Sequence, residues 1–489
     1  MFGMEIEHFD VLIVGAGLSG IGAGYHLQAN CPGKSYAILE GRQCSGGTWD
    51  LFRYPGIRSD SDMYTLGYSF RPWTQPEAIA DGPAILSYVR ETAQTYGIDR
   101  KIRFNTKVRR ATWSTQDNRW TVEAEVGDGQ EPVRLTCNFL FMCSGYYDYA
   151  AGYTPEFAGV EEFAGRIVHP QKWTEDIDYA GKRVVVIGSG ATAVTLVPEM
   201  AKNAAHVTML QRSPTYVVSR PGQDGIANWL RRHLPAKVAY GMTRWKNVVL
   251  GMIFFRLCKY APQRMRNLIL AGVRKELGPD FDVGTHFTPS YKPWDQRMCL
   301  VPNGDLFQSI RDGKVSVVTD RIETFTRDGI KLRSGAELAA DVIVTATGLN
   351  LQLLGGMQIA IDGRAVDLAS TLNYKGMMYS DVPNLASAFG YTNASWTLKC
   401  DLTCEYVCRL LNHMDRRGYV QCTPRNSDPN VATEPWIDFS SGYVQRSIDK
   451  FPRQGARAPW RLYQNYALDI VSLKFGSIED GAMEFARRP

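Results

Sequence analysis

Two short glycine-rich runs carry the plainest chemistry in this 489-residue sequence. The first, Gly15-Ala16-Gly17-Leu18-Ser19-Gly20, follows an apolar run at residues 9–14 and opens a helical pattern over residues 18–30. Glycines at this spacing let a backbone approach a pyrophosphate, and the helix N-terminus adds unpaired N–H groups and positive potential. A second apolar run, residues 36–40, ends in Glu40, whose carboxylate would accept hydrogen bonds from ribose hydroxyls and repel a 2′-phosphate. This half suits FAD or NAD, not NADP. The second run, Gly188-Ser189-Gly190-Ala191-Thr192-Ala193 followed by Val194, also stands between a strand pattern and a helical one. Ala193 still permits close packing of helix on strand. Where an acid would sit for NAD, the chain has Arg212 and Ser213. A guanidinium and a hydroxyl suit a 2′-phosphate, so NADPH is the expected reductant.

Each motif needs a strand before it, a helix after it and a further strand beyond, and both copies have them. Two later apolar runs are also alike: residues 139–143 lead into Ser144-Gly145, and residues 341–345 into Ala346-Thr347-Gly348. The fold expected is α/β, with two Rossmann-like dinucleotide-binding domains, one for FAD and one for NADP, and a helical insertion. The expected boundaries are 1–150 for the first part of the FAD domain and 151–219 for the first part of the NADP domain. Residues 220–293 would form the insertion, 294–375 the rest of the NADP domain, and 376–489 the rest of the FAD domain.

Composition narrows the function classes. Hydrophobic residues are 44% and charged residues 21%, ordinary for a soluble globular protein. Ten cysteines are too sparse for a disulfide scaffold, which favours a reducing, cytoplasmic setting. A disulfide reductase would need a cysteine pair near the flavin, but the position five residues after Cys44 is Trp49. Cys400, Cys404 and Cys408 share a helix face and read as packing, with no metal expected. The net charge of +5 is concentrated: residues 228–276 hold eleven Lys/Arg and one acid. The rest of the chain is slightly acidic, which argues against nucleic acid. That basic stretch reads as a solvated helix face, with contact to membrane phospholipid or to a partner as alternatives. No specific protein partner is implied. The N-terminus shows no basic region or cleavage site, and no apolar run reaches the ~20 residues of a membrane span.

Longer signatures make the reading specific. Phe163, Gly165, His169 and Trp173 fit the pattern FxGxxxHxxxW, and Gly46, Gly47, Trp49, Tyr54, Pro55, Gly56 and Asp60 fit GGxWxxxxYPGxxxD. With both nucleotide motifs and the insertion, these make the chain resemble the class B flavoprotein monooxygenases, in particular the Baeyer–Villiger monooxygenases. Stretches such as TWDLFRYPGIRSDSDMYTLG and YTNASWTLK are similar to the thioamide-activating branch of that family. Two departures stand out. Thr174 follows Trp173 where Pro or Asp is common, and Gln296 stands where many members have a lysine before the catalytic arginine. That lysine is thought to help hold NADPH, so more weight would fall on Arg212.

The resemblance implies that NADPH reduces FAD, that O2 adds to give a C4a-peroxyflavin, and that one oxygen atom is inserted beside a ketone carbonyl to give an ester or lactone. S-oxygenation of sulfides or thioamides is the alternative left open. Arg297 matches the catalytic arginine and Asp60 the active-site aspartate that would orient it. Gly47, Thr48 and Trp49 would line the flavin, Ser19 and the first glycines (Gly15, Gly17, Gly20) would meet its phosphates, and the backbone of Val108 its adenine. Arg58 and Ser59 would touch the nicotinamide end, with Gly188 to Val194 on the NADP side. His169 is read as coupling the two domains, not as a proton carrier. Asn393, Trp396 and Trp460 read equally as pocket lining and as core.

Overall fold

The computed structural model describes residues 6–428, 430–437 and 439–488. Residues 1–5, on which the reading of the N-terminus partly rests, lie outside that range.

The apolar run at residues 9–14 becomes the inner half of the strand Glu7–Val14, which is flanked on both sides by parallel strands. Such a strand is covered on both faces, which is why it reads as a continuous Val/Ile/Leu run without alternation. The parallel part of the first sheet runs Ile102–Arg103, Tyr36–Leu39, Glu7–Val14, Glu131–Met142, Leu385–Ser387. The second sheet runs Val315–Thr319, His206–Gln211, Arg183–Ile187, Val342–Thr345, Arg166–Val168, all parallel. Counted from the strand that leads into each glycine motif, four strands have the same order in both sheets, third-second-first-fourth, so the internal repeat seen in the sequence is a repeat of topology; the fifth strand differs, being Leu385–Ser387 at the end of the first unit but Arg166–Val168, ahead of the motif, in the second. An antiparallel meander, Thr106–Ser114, Arg119–Val126 and Glu131–Met142, extends the first sheet.

The glycines that start each motif sit at equivalent places. Gly15 has φ +105°, and a Cβ there would lie 2.6 Å from the Cys143 carbonyl oxygen. Gly188 has φ +142°, and its Cβ would lie 2.3 Å from the Ala346 carbonyl oxygen. In both units the turn is pressed against the end of the fourth strand, and only glycine fits that conformation and that gap. The pairs Cys143-Ser144 and Ala346-Thr347, alike in sequence, are alike because they do the same job.

One boundary moves. Gln358–Ile361 pairs in parallel with Thr106–Ser114 of the first sheet, and Arg364–Ala365 extends that edge. The chain has therefore returned to the first unit by Gln358, not at 376. The pairing was illegible because a strand as short as QIAI carries no register signal of its own. The insertion is helical as expected: Gly225–His233, Ala236–Tyr260, Pro262–Leu277 and Val283–Phe287. Its two ends are tied by a parallel pair, Val217–Arg220 with Cys299–Pro302.

Arg244 clamps the insertion to the first unit. The side chain is buried and donates to the carbonyls of Tyr64 (2.9 Å) and Gly67 (2.7 Å), with Asp401 at 3.5 Å. Asp401 also faces His26 at 3.5 Å and accepts from the Ser69 amide at 3.0 Å. Burial works to raise the Asp401 pKa, but His26, Arg244 and the Ser69 amide bring it below the usual carboxylate value. Among the described residues, no helix is long and apolar enough to cross a membrane.

Candidate active site

The carboxyl ends of both parallel sheets open on one cavity of about 1220 Å³. Open α/β sheets bind ligands at this end, where the strand order reverses. The volume exceeds the ~300–1,000 Å³ typical of a single drug-sized pocket.

The structure brings most of the residues singled out from the sequence to this wall. Gly15, Gly17, Ser19, Glu40, Gly47, Thr48, Trp49 and Val108 line it from the first unit, with Arg58, Ser59 and Asp60. Gly188, Ser189, Gly190, Ala191, Thr192, Val194, Arg212 and Ser213 line it from the second, and Arg297 from the segment before Cys299–Pro302. Gly20 and Ala193 are not on the wall. A Cβ on Gly20 would lie 1.8 Å from the Gly15 carbonyl oxygen, and Ala193 is fully buried. These two positions serve the contact of helix with strand, not a ligand.

Several side chains are already engaged. Glu40 accepts from the Ala16 amide (2.7 Å) through one carboxylate oxygen and from the Arg42 amide (3.0 Å) through the other. Burial raises its pKa in spite of both bonds. Each oxygen keeps a further lone pair for the cavity. The Ser19 hydroxyl accepts from the Trp396 indole N–H at 2.8 Å and lies 3.3 Å from the Cys400 sulfur. Its side chain is thus turned toward the helix Trp396–Arg417, leaving the motif's backbone to face the cavity. Ser189 Oγ donates to the Ser213 carbonyl at 3.0 Å and meets Thr215 Oγ1 at 2.9 Å, which ties the second glycine turn to the Arg212-Ser213 segment. Arg58 is paired with Asp305.

Asp60 and Arg297, 237 positions apart, meet side-on: Arg297 Nε donates to one Asp60 oxygen at 2.6 Å and Nη2 to the other at 2.9 Å. This two-bond fork holds the guanidinium plane in one orientation. Burial opposes the charge on Arg297, but Asp60 more than offsets it and drives the pKa up. The cation is permanent at any working pH.

Tyrosines surround this pair, and sequence reasoning missed them. Tyr146, Tyr147 and Tyr443 line the same wall, with the Tyr146 and Tyr147 hydroxyls 2.9 Å apart. Burial pushes all three phenols up, so they stay protonated donors. Tyr146 stacks on Trp396 at 5.2 Å, and Tyr149 meets Thr48 Oγ1 at 3.3 Å. The run Tyr146-Tyr147-Asp148-Tyr149, directly after Ser144-Gly145, was the available signal. Burial pushes the Tyr54 phenol up to about 12. Arg321 and Arg333 were also missed. Both line the cavity beside Arg212, because Asp320 N–H donates to the Gln211 carbonyl (3.0 Å) and Arg333 N–H to the Arg321 carbonyl (2.9 Å). Only the pairing of the strands His206–Gln211 and Val315–Thr319 brings them there.

His169 does not line the cavity. Its Nδ1 accepts from the Gln171 amide at 3.2 Å, which leaves Nε2 to donate to the Gly348 carbonyl at 3.2 Å. Burial lowers its pKa, so the ring is neutral and fully used between segments of the second unit. Of the three undecided residues, Trp396 lines the cavity. Asn393 is bonded to the Gln464 carbonyl at 2.9 Å, and Trp460 packs on Tyr374 at 5.6 Å. Cys400, Cys404 and Cys408 are buried, and among the described residues no cluster could hold a metal ion.

Comparison with known proteins decides the family. The flavin-binding monooxygenase-like family model matches residues 74–354, and the NAD(P)-binding Rossmann-like domain model matches residues 13–78. The FAD-containing monooxygenase EthA of Mycobacterium tuberculosis is 59% identical over 484 residues, covering 99% of both chains. The chain belongs to the flavin-binding monooxygenase family. Solved structures agree on the fold of this monooxygenase. A steroid monooxygenase bound to NADP superposes with TM-score 0.76 at 23% identity, over 98% of this chain and all of the other. OTEMO in complex with FAD and NADP gives TM-score 0.74 at 21% identity, over 99% of this chain and 100% of the other.

Proposed function

We propose that this FAD- and NADPH-dependent monooxygenase is a Baeyer–Villiger enzyme, inserting one oxygen atom of O2 next to the carbonyl of small or medium organic ketones to give esters or lactones. The observation that carries the reading is the Asp60–Arg297 fork on the wall shared by both glycine motifs.

The residues present fit both cofactors. Glycine turns at positive φ stand at both strand ends, and Gly17 and Gly47 approach so closely that a Cβ on Gly47 would lie 3.0 Å from the Gly17 Cα. That leaves a side-chain-free cradle suited to a pyrophosphate. Gly15, Gly17, the backbone of Ser19, Glu40, Gly47, Thr48, Trp49 and Val108 would hold FAD. Gly188 to Thr192, Val194, Arg212 and Ser213 would hold NADPH, with Arg58 and Ser59 toward its reactive end. Arg321 and Arg333 add cationic partners for the 2′-phosphate, where Gln296 replaces the family's lysine. When bound, FAD supplies the oxygen-activating redox chemistry and NADPH the hydride.

The chain's own part is electrostatic and spatial. Arg297, fixed by Asp60, presents a permanent positive charge where negative charge develops on oxygen, an interaction that strengthens toward the transition state. Tyr146, Tyr147 and Tyr443 remain neutral around it and present hydroxyl donors to the wall. The segments 1–150 and 376–489, with the edge strands from Gln358, would form the FAD unit, and the second sheet the NADP unit.

A second reading, S-oxygenation of sulfides or thioamides, is favoured by the stretches around Trp49 and Trp396 that resemble the thioamide-activating branch. The test is product identification with a ketone and a sulfide offered side by side, with NADPH consumption followed in both. Ester or lactone from the ketone supports the first reading. Sulfoxide with no ester overturns it in favour of the second.

A further inference from the structure

The long helix Ala236–Tyr260 has two unlike sides. Val248 packs inward with Tyr391 and Leu398, next to Met252 and Ala394, and Tyr391 and Ala394 belong to the cavity wall. Near its C-terminal end, Phe255 meets the Trp294 ring at 5.7 Å and Lys259 reaches Asp295 at 3.1 Å, two residues before Arg297. This helix is therefore part of the roof of the site.

Its outer side is apolar. Val238, Met242, Trp245, Val249, Ile253 and Leu257 recur at intervals of three or four and are each 44–51% exposed. That spacing places them on one face, and the stripe runs most of a helix about 37 Å long. Exposed apolar side chains continue beside it: Ile226 and Trp229 on Gly225–His233, and Leu468, Val471 and Phe475 from the C-terminal segment, which adjoins the helix through Tyr466 and Trp245 (5.8 Å). Scattered exposed apolar residues need no explanation, but a contiguous face of this kind marks a contact surface.

The charge around the face says what covers it. Residues 225–275 contain eleven Lys/Arg and no Asp or Glu; of these, Arg244 is buried, and Lys246 and Lys259 are paired with Asp224 and Asp295. Arg232, Lys237, Arg256 and Arg264 are exposed. A second copy of the chain laid on this face would set these cations against their own kind, with no carboxylate in the segment to offset them. A surface of anionic phosphates with apolar chains beneath complements both features, and tryptophan suits the boundary between them.

We propose that this face docks on an anionic lipid surface, with the helix lying in the plane of the interface and the roof of the cavity turned toward the bilayer. The proposal is independent of which substrate the enzyme oxidises.

The test is flotation of the full-length, flavin-loaded protein with vesicles of phosphatidylcholine alone, or of phosphatidylcholine and phosphatidylglycerol in equal parts, at low and high salt. Wild type is expected to float with the anionic vesicles at low salt and to lose most of that binding at high salt. Each exposed basic residue near such a surface contributes roughly fivefold, so Lys237→Ala with Arg256→Ala should weaken partitioning roughly 30-fold. Val249→Ser with Ile253→Ser should also weaken it while leaving the fold and flavin absorbance unchanged, since both side chains point outward. Absence of flotation with anionic vesicles, or equal flotation with neutral ones, overturns the proposal. So does concentration-dependent self-association that Val249→Ser with Ile253→Ser abolishes, because the occupant would then be a second copy.

Discussion

Replacing Asp60 by Asn tests whether Arg297 acts as a fixed cation. The substitution keeps the shape of the side chain and removes its charge. Arg297 now makes two charge-assisted bonds, at 2.6 and 2.9 Å, to the two carboxylate oxygens. Asn offers one neutral acceptor, and its NH2 group faces a guanidinium that can only donate. Hydrogen bonds to charged groups contribute roughly 1.5–3 kcal/mol each, and about one such bond is lost outright while the other is weakened. A loss of about 2–3 kcal/mol in the positioning of Arg297 corresponds to a roughly 30- to 150-fold fall in the rate of product formation, since about 1.4 kcal/mol is tenfold. Bound FAD should be retained, because the glycine cradle and Glu40 are untouched. The assay follows three quantities on one preparation: oxygenated product, NADPH consumed and flavin absorbance. The expected variant is yellow, still consumes NADPH, and makes little product. Wild-type product formation in Asp60→Asn would refute the reasoning that the fork orients the working cation. Loss of flavin would show that Asp60 has a structural role instead.

Three further outcomes are expected. Arg212→Ala should weaken NADPH binding roughly 10- to 150-fold, with little effect on NADH, by loss of a charge-assisted bond to the 2′-phosphate; binding of 2′,5′-ADP against AMP measures this without turnover, and an unchanged preference would remove Arg212 from that role. Arg244→Met should destabilise the protein by about 3–5 kcal/mol, because it leaves buried Asp401 and two carbonyls short of a partner; thermal unfolding checks it, and an unaltered transition would show that the clamp contributes nothing net. Asp401, whose pKa is lower in the folded protein than in the unfolded chain, contributes stability that is full above the unfolded value of about 3.9 and is lost as pH falls through the folded value. The wild-type unfolding temperature should therefore fall on acidification below about pH 4, and Asp401→Asn, less stable near neutrality, should show a shallower fall; parallel curves would contradict the assignment.

What the sequence determined by itself was local. The strand–glycine–helix pattern at Gly15 and again at Gly188 is written in neighbouring residues, because the turn requires glycine, the buried parallel strand requires a continuous apolar run, and the helix must begin at the phosphate. Arg212 was legible for the same reason, being one step beyond a strand whose end is fixed by the motif. The insertion was legible from its composition. The tertiary structure decided everything that depends on which strand end lies beside which. Asp60 and Arg297 meet because Cys299–Pro302 pairs with Val217–Arg220 and closes the insertion into a loop beside the first unit. Arg321 and Arg333 reach the cavity because Val315–Thr319 lies next to His206–Gln211. The return of Gln358–Ile361 to the first sheet, the turning of Ser19 toward Trp396, and the outward apolar side of Ala236–Tyr260 belong to the same class. Side-chain period shows that a helix has two faces, but which face is covered depends on long-range packing that no window of sequence contains.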